Sequence, residues 1–338
     1  MIKFGIMVMP QHPRTDAPIK RFRETVELTR LARDAGFHSI ACGQHFLSPP
    51  YQNLQSVPLL ARLAADSGSM DLILSILLLP LYNPVQMAEE VATLDVISEG
   101  RVVFGVGLGY RDIEYQAFNT HRRERTSRFL EALEVIRRLW TEEEVTFEGK
   151  HFHLTNATCT IRPVQKPYPP IWIAANDDGA ITRAGRLGYV WLLNPHATLT
   201  TLERQMQVYK DALLGASKSM PADLPIIKEM HVAKTREEAI KVAQPYLEGK
   251  YQAYADWGQD KALPGQESFR VPFEDLAKDR FILGSVEDVI QQIEAHHRRL
   301  GINHFIFRIW WPGMEAYHAY RVIELMGEHV IPHFQKHL

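Results

Sequence analysis

Two histidines stand where a side chain could move a proton near neutral pH. His45 follows Gln44 at the end of one apolar run, and His231 closes Glu229-Met230-His231. An unperturbed imidazole titrates at about pH 6.5, so either ring could accept and return a proton in a reaction. The bland alternative stays open for both, because a lone histidine beside apolar neighbours is often a satisfied core residue. Arg308, followed by Ile309-Trp310-Trp311, could meet an anionic substrate or pair with a carboxylate. Met7, Met9, Tyr82, Trp310 and Trp311 could line a pocket or simply fill a core. Metal chemistry is not indicated: His151-x-His153 and His296-His297 lack a third ligand at metal spacing, and no His-Glu-x-x-His occurs.

These residues share a position, the ends of predicted strands. Residues 71–80 form an apolar run without alternation, closed by proline, as expected of a parallel strand covered by helices on both faces. Similar segments at 2–9, 38–43, 101–106, 171–175, 189–193, 226–233 and 304–309 bring the count to eight, nearly all followed by amphipathic stretches. This alternation predicts an α/β fold, a single (β/α)8 TIM barrel over residues 1–338 with insertions after strands 4 and 7. The first insertion carries a small hairpin at 145–154. The second, 249–284, is polar and irregular, and reads as a lid or substrate loop. A doubly wound open sheet is the rival, but no strand is followed by the Gly-x-Gly-x-x-Gly turn of a dinucleotide site. In a barrel the loops after the strands build the active site, so strand-end residues are the candidates.

Composition narrows the partners. The 338 residues are 46% hydrophobic and 23% charged, with a formal net charge of -2, which leaves no field to attract nucleic acid or an anionic membrane. The apolar run at 72–79 is too short to span a bilayer. A strand begins at residue 2 without a signal-type segment, and the two cysteines, Cys42 and Cys159, exclude a disulfide framework. The expected location is the cytoplasm.

An ordered set of motifs carries a family resemblance. It comprises Gln44-His45-Phe46, Leu77-Leu78-Leu79-Pro80 with Asn83-Pro84, Asp95-Val96-Ile97-Ser98-Glu99-Gly100-Arg101, and Gly105-Val106-Gly107-Leu108-Gly109. It continues through Leu139-Trp140-Thr141-Glu142-Glu143, Arg162-Pro163-Val164-Gln165 and Pro170-Ile171-Trp172-Ile173-Ala174. With these motifs the chain resembles the bacterial luciferase-like, flavin-dependent oxidoreductases over most of its length.

The resemblance implies FMN as the flavin, a homodimer or higher homo-oligomer, and a non-proline cis peptide at Ser75-Ile76 beneath the ring. It implies that His45 is the catalytic histidine, with Gln44 where many relatives keep an acidic residue. Flavin contacts are implied for Ser75, Ile76, Gly107, Leu108, Tyr110 and Ala175, and phosphate contacts for Asn176, Asp177, Asp178 and Gly179 at a helix start, where backbone N–H groups favour an anion. The two aspartates depart from the small hydroxyl residues common there, and either cap the helix facing away, leaving backbone amides to the phosphate, or weaken or abolish FMN binding, with Arg183 one turn on to offset the charge. The substrate pocket is expected to draw on Met7, Tyr82, Glu229, Arg308 and Trp310, with His231 as a second catalytic candidate. Relatives that oxidise alkanesulfonates carry Arg-x-His where this chain has Glu229-Met230-His231, so a carboxylate is expected to repel that substrate.

The implied function is an FMN-dependent monooxygenase that takes reduced flavin from a separate reductase, because the chain has no nicotinamide fingerprint, and uses O2 on a small organic substrate. Two alternatives remain: a deazaflavin-dependent oxidoreductase working by hydride transfer, and a flavin-binding protein without catalysis.

Overall fold

A computed structural model describes residues 1–8, 11–263 and 267–336. Met9, a candidate for the pocket or the core, lies outside them. In chain order the first strands are β1 (Lys3–Val8), β2 (Gln11–Pro13), β3 (Ser39–Cys42), β4 (Tyr51–Asn53), β5 (Asp71–Leu78) and β6 (Val102–Gly107). The hairpin β7 (Val145–Glu148) and β8 (His153–Ala157) follows, then β9 (Ile171–Ala174), β10 (Val190–Leu192), β11 (Pro225–Val232), β12 (Ile282–Gly284) and β13 (His304–Arg308).

The principal sheet runs β10-β9-β6-β5-β3-β1-β13-β11-β12 and its strand pairs are parallel. It is strongly curled. Leu193, just past β10 at one end of the order, makes a parallel bridge to Ile226 of β11 near the other end. Met7, Ala41, Ile73, Val103, Trp172, Leu192, Ile227 and Ile306 pack together on the inner face as one cluster. Their chain neighbours, such as Ile6, Ile40, Leu72, Phe104 and Phe305, point the other way into the larger core under the helices. The period-two alternation therefore divides two apolar faces, and both are buried, which is why the strands read as continuous apolar runs.

The covering helices are α1 (Pro18–Asp34), α2 (Ser56–Leu63), α3 (Pro84–Ile97), the short α4 (Asp112–Ala117), α5 (Arg125–Thr141), α6 (Asp178–Leu187), α7 (Leu199–Gly215) and α8 (Arg236–Asp256). They are followed by α9 (Phe273–Ala277), α10 (Val286–Leu300), α11 (Ala316–Leu325) and α12 (Ile331–Lys336). Some of their starts are marked in the sequence: Asn83 caps α3 with proline next to it, and Ser285 and Asp288 form a capping box at α10.

The segment 249–284 is less irregular than its polarity suggests. α8 continues through Asp256, α9 occupies Phe273–Ala277, and β12 pairs with the end of β11. Leu247, Tyr251 and Tyr254 recur at helical spacing and are buried, but Lys250 in the same row disguises the apolar stripe. Its charge is buried for a reason given below.

Between Leu74 and Leu77 the register of β5 against β6 shifts, and the Ser75-Ile76 peptide there is cis. The neighbouring glycines of β6 make room for this segment. A Cβ at Gly105 would lie 2.0 Å from the Leu74 carbonyl oxygen, and one at Gly107 2.1 Å from Ile76 Cδ1.

Candidate active site

A cavity of about 400 Å³ opens at the carboxyl ends of the strands. This is within the usual size of small-molecule sites. Of the residues singled out in the sequence, Met7, His45, Ser75, Ile76, Leu108, Tyr110, Ala175, Asn176, Asp177 and Arg308 line it. Gly107, Tyr82, Asp178, Gly179, Glu229, His231 and Trp310 are not on its wall. Gly107 lies instead beside Ile76 and a minor cleft.

His45 is held from behind. Its Nδ1 lies 3.3 Å from Glu114 Oε1 on α4, and the same oxygen accepts the backbone N–H of Phe46 at 3.0 Å. Glu114 is 1% exposed and Arg111 7%. Arg111 donates to Glu114 Oε1 at 3.2 Å and to the carbonyls of Phe46 and Leu47, so one guanidinium binds the carboxylate and the loop carrying the histidine. Burial alone would raise the Glu114 pKa, but the bonds from His45 and Phe46 and the charge of Arg111 bring it below the ordinary carboxylate value. An ionised Glu114 fixes the ring orientation of His45 through its Nδ1. The carboxylate partner missing at Gln44 is thus supplied from another element.

Gln44 serves the floor of the site. Its Oε1 accepts the backbone N–H of Leu78 at 3.3 Å, and its Nε2 donates to Gln55 at 3.1 Å and to the Tyr82 hydroxyl. Tyr82 therefore acts behind the wall, packed with Phe46 and Phe118.

At the start of α6 the two aspartates have separate partners. Asp177 is the N-cap, accepting the N–H of Ala180 at 2.9 Å, while Asp178 turns out to Arg204 with contacts of 2.7 and 2.9 Å. One carboxylate consequently faces the cavity beside an anion-favouring helix end. Arg122, Arg125 and Lys261 line the same cavity and offset it.

Glu229 is fully buried and its oxygens are taken. Oε1 accepts Lys250 Nζ at 2.5 Å and Arg308 Nη1 at 3.4 Å, and Oε2 accepts Trp311 Nε1 at 2.6 Å. Burial raises the Glu229 pKa, but Lys250 and Arg308 reverse this and leave it lowered, so it stays ionised. The expected repulsion of a sulfonate by Glu229 does not hold, because this carboxylate is neutralised away from the cavity and the charge presented is that of Arg308. His231 packs near Trp311, its Nδ1 has no hydrogen-bond partner among the described residues, and burial lowers its pKa to about 4. The lowered pKa fits a buried core histidine, whereas the unpartnered Nδ1 does not fit a satisfied one. Trp310 packs on His12 and donates to the Met314 carbonyl at 2.9 Å.

The profile of the luciferase-like monooxygenases matches residues 2–304. The chain belongs to this family. The oxygenase component of the flavin-dependent trigonelline monooxygenase of Acinetobacter baylyi is 24% identical over 93% of this chain and 90% of its own. The F420-dependent glucose-6-phosphate dehydrogenase of Nakamurella multipartita is 26% identical over 91% of both chains. The crystal structure of the monooxygenase RslO1 from Streptomyces bottropensis superposes with a TM-score of 0.85 at 25% identity, over 98% of this chain and 100% of that one. This luciferase-like protein is accordingly a flavin- or F420-dependent oxidoreductase or monooxygenase.

Its cavity suits such a ring. Ser75 Oγ and Asn194 Nδ2 are buried, belong to residues on the wall and have no hydrogen-bond partner among the described residues. A flavin or deazaflavin edge carries acceptor oxygens and nitrogens that would satisfy them.

Glu114, Arg111, Asn194, His196, Lys250 and Tyr254 were not singled out in the sequence. Arg111 and Glu114 had a readable signal: an i,i+3 opposite-charge pair directly after the Gly109-Tyr110 strand end. For Asn194 and Lys250 no signal existed, because burial is what sets them apart.

Proposed function

We propose that this protein is an FMN-dependent monooxygenase that takes reduced flavin from a separate reductase and uses O2 to oxygenate a small organic substrate. The observation that carries the reading is His45 on the cavity wall with its Nδ1 held by buried Glu114. Reduced flavin supplies the electrons and the site of reaction with O2 when bound. The protein's own part is to exclude water with Met7, Ile76, Leu108 and Tyr110, and to accept or return a proton at His45. Ser75, Ile76, Leu108 and Ala175 would contact the ring. Asn176 and the first amides of α6, with Arg122 and Arg125, would hold the phosphate. Of the two relatives named above, the oxygenase component of a flavin-dependent monooxygenase supports the flavin chemistry and a separate reductase.

The second reading is hydride transfer with F420, which the glucose-6-phosphate dehydrogenase relative supports. Substrate-dependent O2 consumption with FMN, NADH and a flavin reductase is expected. Turnover under argon with F420, and none with FMN in air, would contradict the leading reading.

The architecture belongs to the same proposal: a closed (β/α)8 barrel of eight strands, supported by the Leu193–Ile226 bridge and the inner cluster. The segment between α8 and β12 acts as the lid, since Gln259, Lys261 and Leu263 reach the cavity. A homodimer is proposed on α3 and α5, where Val85, Val96, Ile97 and Leu130 are exposed apolar residues. No helix among the described residues is long and apolar enough to cross a membrane, and a cytoplasmic location is proposed.

A further inference from the structure

One end of the cavity is built from donors without acceptors. Arg308, at the end of β13, donates from Nε to Met7 Sδ at 2.9 Å and from Nη1 to Glu229 at 3.4 Å, and its Nη2 has no partner among the described residues. Gln11, on β2, is 3% exposed, and its Nε2 is likewise without a partner. Tyr254 links the two: its hydroxyl donates to Gln11 Oε1 at 3.3 Å, and it lies within the field of the Arg308 guanidinium. Arg308, Gln11 and Tyr254 all line the cavity.

The charges behind this wall do not cancel. Glu229 already has Lys250 at 2.5 Å and Trp311 at 2.6 Å, so it does not need the longer contact with Arg308. Burial lowers the Lys250 pKa to about 7, and whenever Lys250 is protonated the trio Glu229, Lys250 and Arg308 carries a net charge of about +1 in a buried setting, where an uncompensated charge is costly. His196, on the same wall, cannot supply the missing anion, and burial keeps it neutral by lowering its pKa well below the ordinary value. A flavin phosphate is better placed across the cavity, where Arg122, Arg125 and the start of α6 lie.

We propose that the substrate is a small organic carboxylate, received by Arg308 with Gln11 as the second donor, and that Glu229 and Lys250 are positioning residues for that guanidinium. Two donors and one excess positive charge match the two oxygens and single charge of a carboxylate. The inference rests on the flavin-site reading of this cavity, and it names the substrate class for that reading. Specificity follows from the same geometry, since a neutral analogue would leave the buried guanidinium uncompensated.

The test is binding, not turnover. Benzoate, nicotinate and cyclohexanecarboxylate, each beside its primary amide, are titrated into the full chain by calorimetry, and FMN binding is measured separately on the same samples. Wild type is expected to prefer the carboxylates by at least about tenfold, and Arg308→Gln to lose about 10- to 100-fold of carboxylate affinity while still binding FMN. Arg308→Lys, which keeps the charge without the fork, should fall between. Gln11→Leu leaves the charged trio intact and is expected to weaken carboxylates about fivefold, so the test survives a misfolded Arg308→Gln. Equal affinity for acids and amides, no binding by any of the three acids, or an acid preference untouched by the Arg308 and Gln11 variants would overturn the proposal. Loss of FMN binding in wild type with the acid preference retained would instead count against the cofactor reading alone and support the Arg308 site.

Discussion

His45 and Glu114 form the smallest unit whose chemistry can be tested. If the imidazole moves the proton, His45→Ala should lower turnover by about 10²- to 10⁴-fold while reduced FMN still binds. Unchanged turnover would take His45 out of the reaction. His231 is expected to reveal itself through stability rather than rate. Its pKa falls from 6.5 to about 4 on folding because burial, and then His318, disfavour the charged ring. Between these values the unfolded chain binds more protons than the folded one, so the histidine costs nothing above pH 6.5 and destabilises progressively as pH falls toward 4, by about 3 kcal/mol in all. His231→Gln should therefore flatten the loss of stability over that window in urea unfolding. His296 and His304, each lowered by burial to about 3, add to the same acid sensitivity and would remain in the variant. An acid profile identical to wild type would mean that His231 is not buried neutral.

At the scale of elements, the strand ends decide what the side chains can do. Gly105 and Gly107 keep β6 flat against the shifted segment of β5, and an added methyl at 105 meets a backbone carbonyl that has nowhere to go. Gly105→Ala is expected to cost about 3 kcal/mol, measurable as a lowered midpoint in urea, and to impair flavin binding with it. A neutral outcome would show that β5 can move. The start of α6 makes a second prediction. Asp177→Ser keeps a capping oxygen for the Ala180 N–H and removes the one carboxylate that faces the cavity there. If the FMN phosphate sits at this helix end, affinity should rise about fivefold or more, the size of one like-charge contact screened as in bulk water, about 1 kcal/mol. Unchanged affinity would move the phosphate elsewhere. The strands and the site-bearing loops were legible in the sequence because burial on both faces makes 71–78 and most of its counterparts predominantly apolar, and because turns demand glycine and proline. Glu114, apart from its readable local pair with Arg111, and Lys250 were hidden for the opposite reason. Each is a charge whose partner lies far away in sequence, His45 in one case and Glu229 in the other, and the sequence presents them as ordinary polar residues of exposed helix faces.

The whole molecule brings these elements to one cavity. The parallel strands of the curled sheet are arranged so that β1, β3 and β13 carry Met7, His45 and Arg308 to one side, while β6, β9 and β10 bring Leu108, Asn176 and Asn194 to the other. A flavin lying across the floor at Ser75-Ile76 would then meet the proton donor and the substrate on the first side and have its phosphate on the second. Sequence and fold agree on the family, and the division between FMN with O2 and F420 with hydride transfer lies in the cofactor the cavity prefers. The most direct measurement is a titration of the apo protein under argon with reduced FMN, oxidised FMN and F420, followed by admission of air. The account predicts saturable one-to-one binding of reduced FMN, tighter than that of oxidised FMN or F420, and reoxidation in air slower than that of free reduced FMN. Saturable binding of F420 with none of reduced FMN would contradict it.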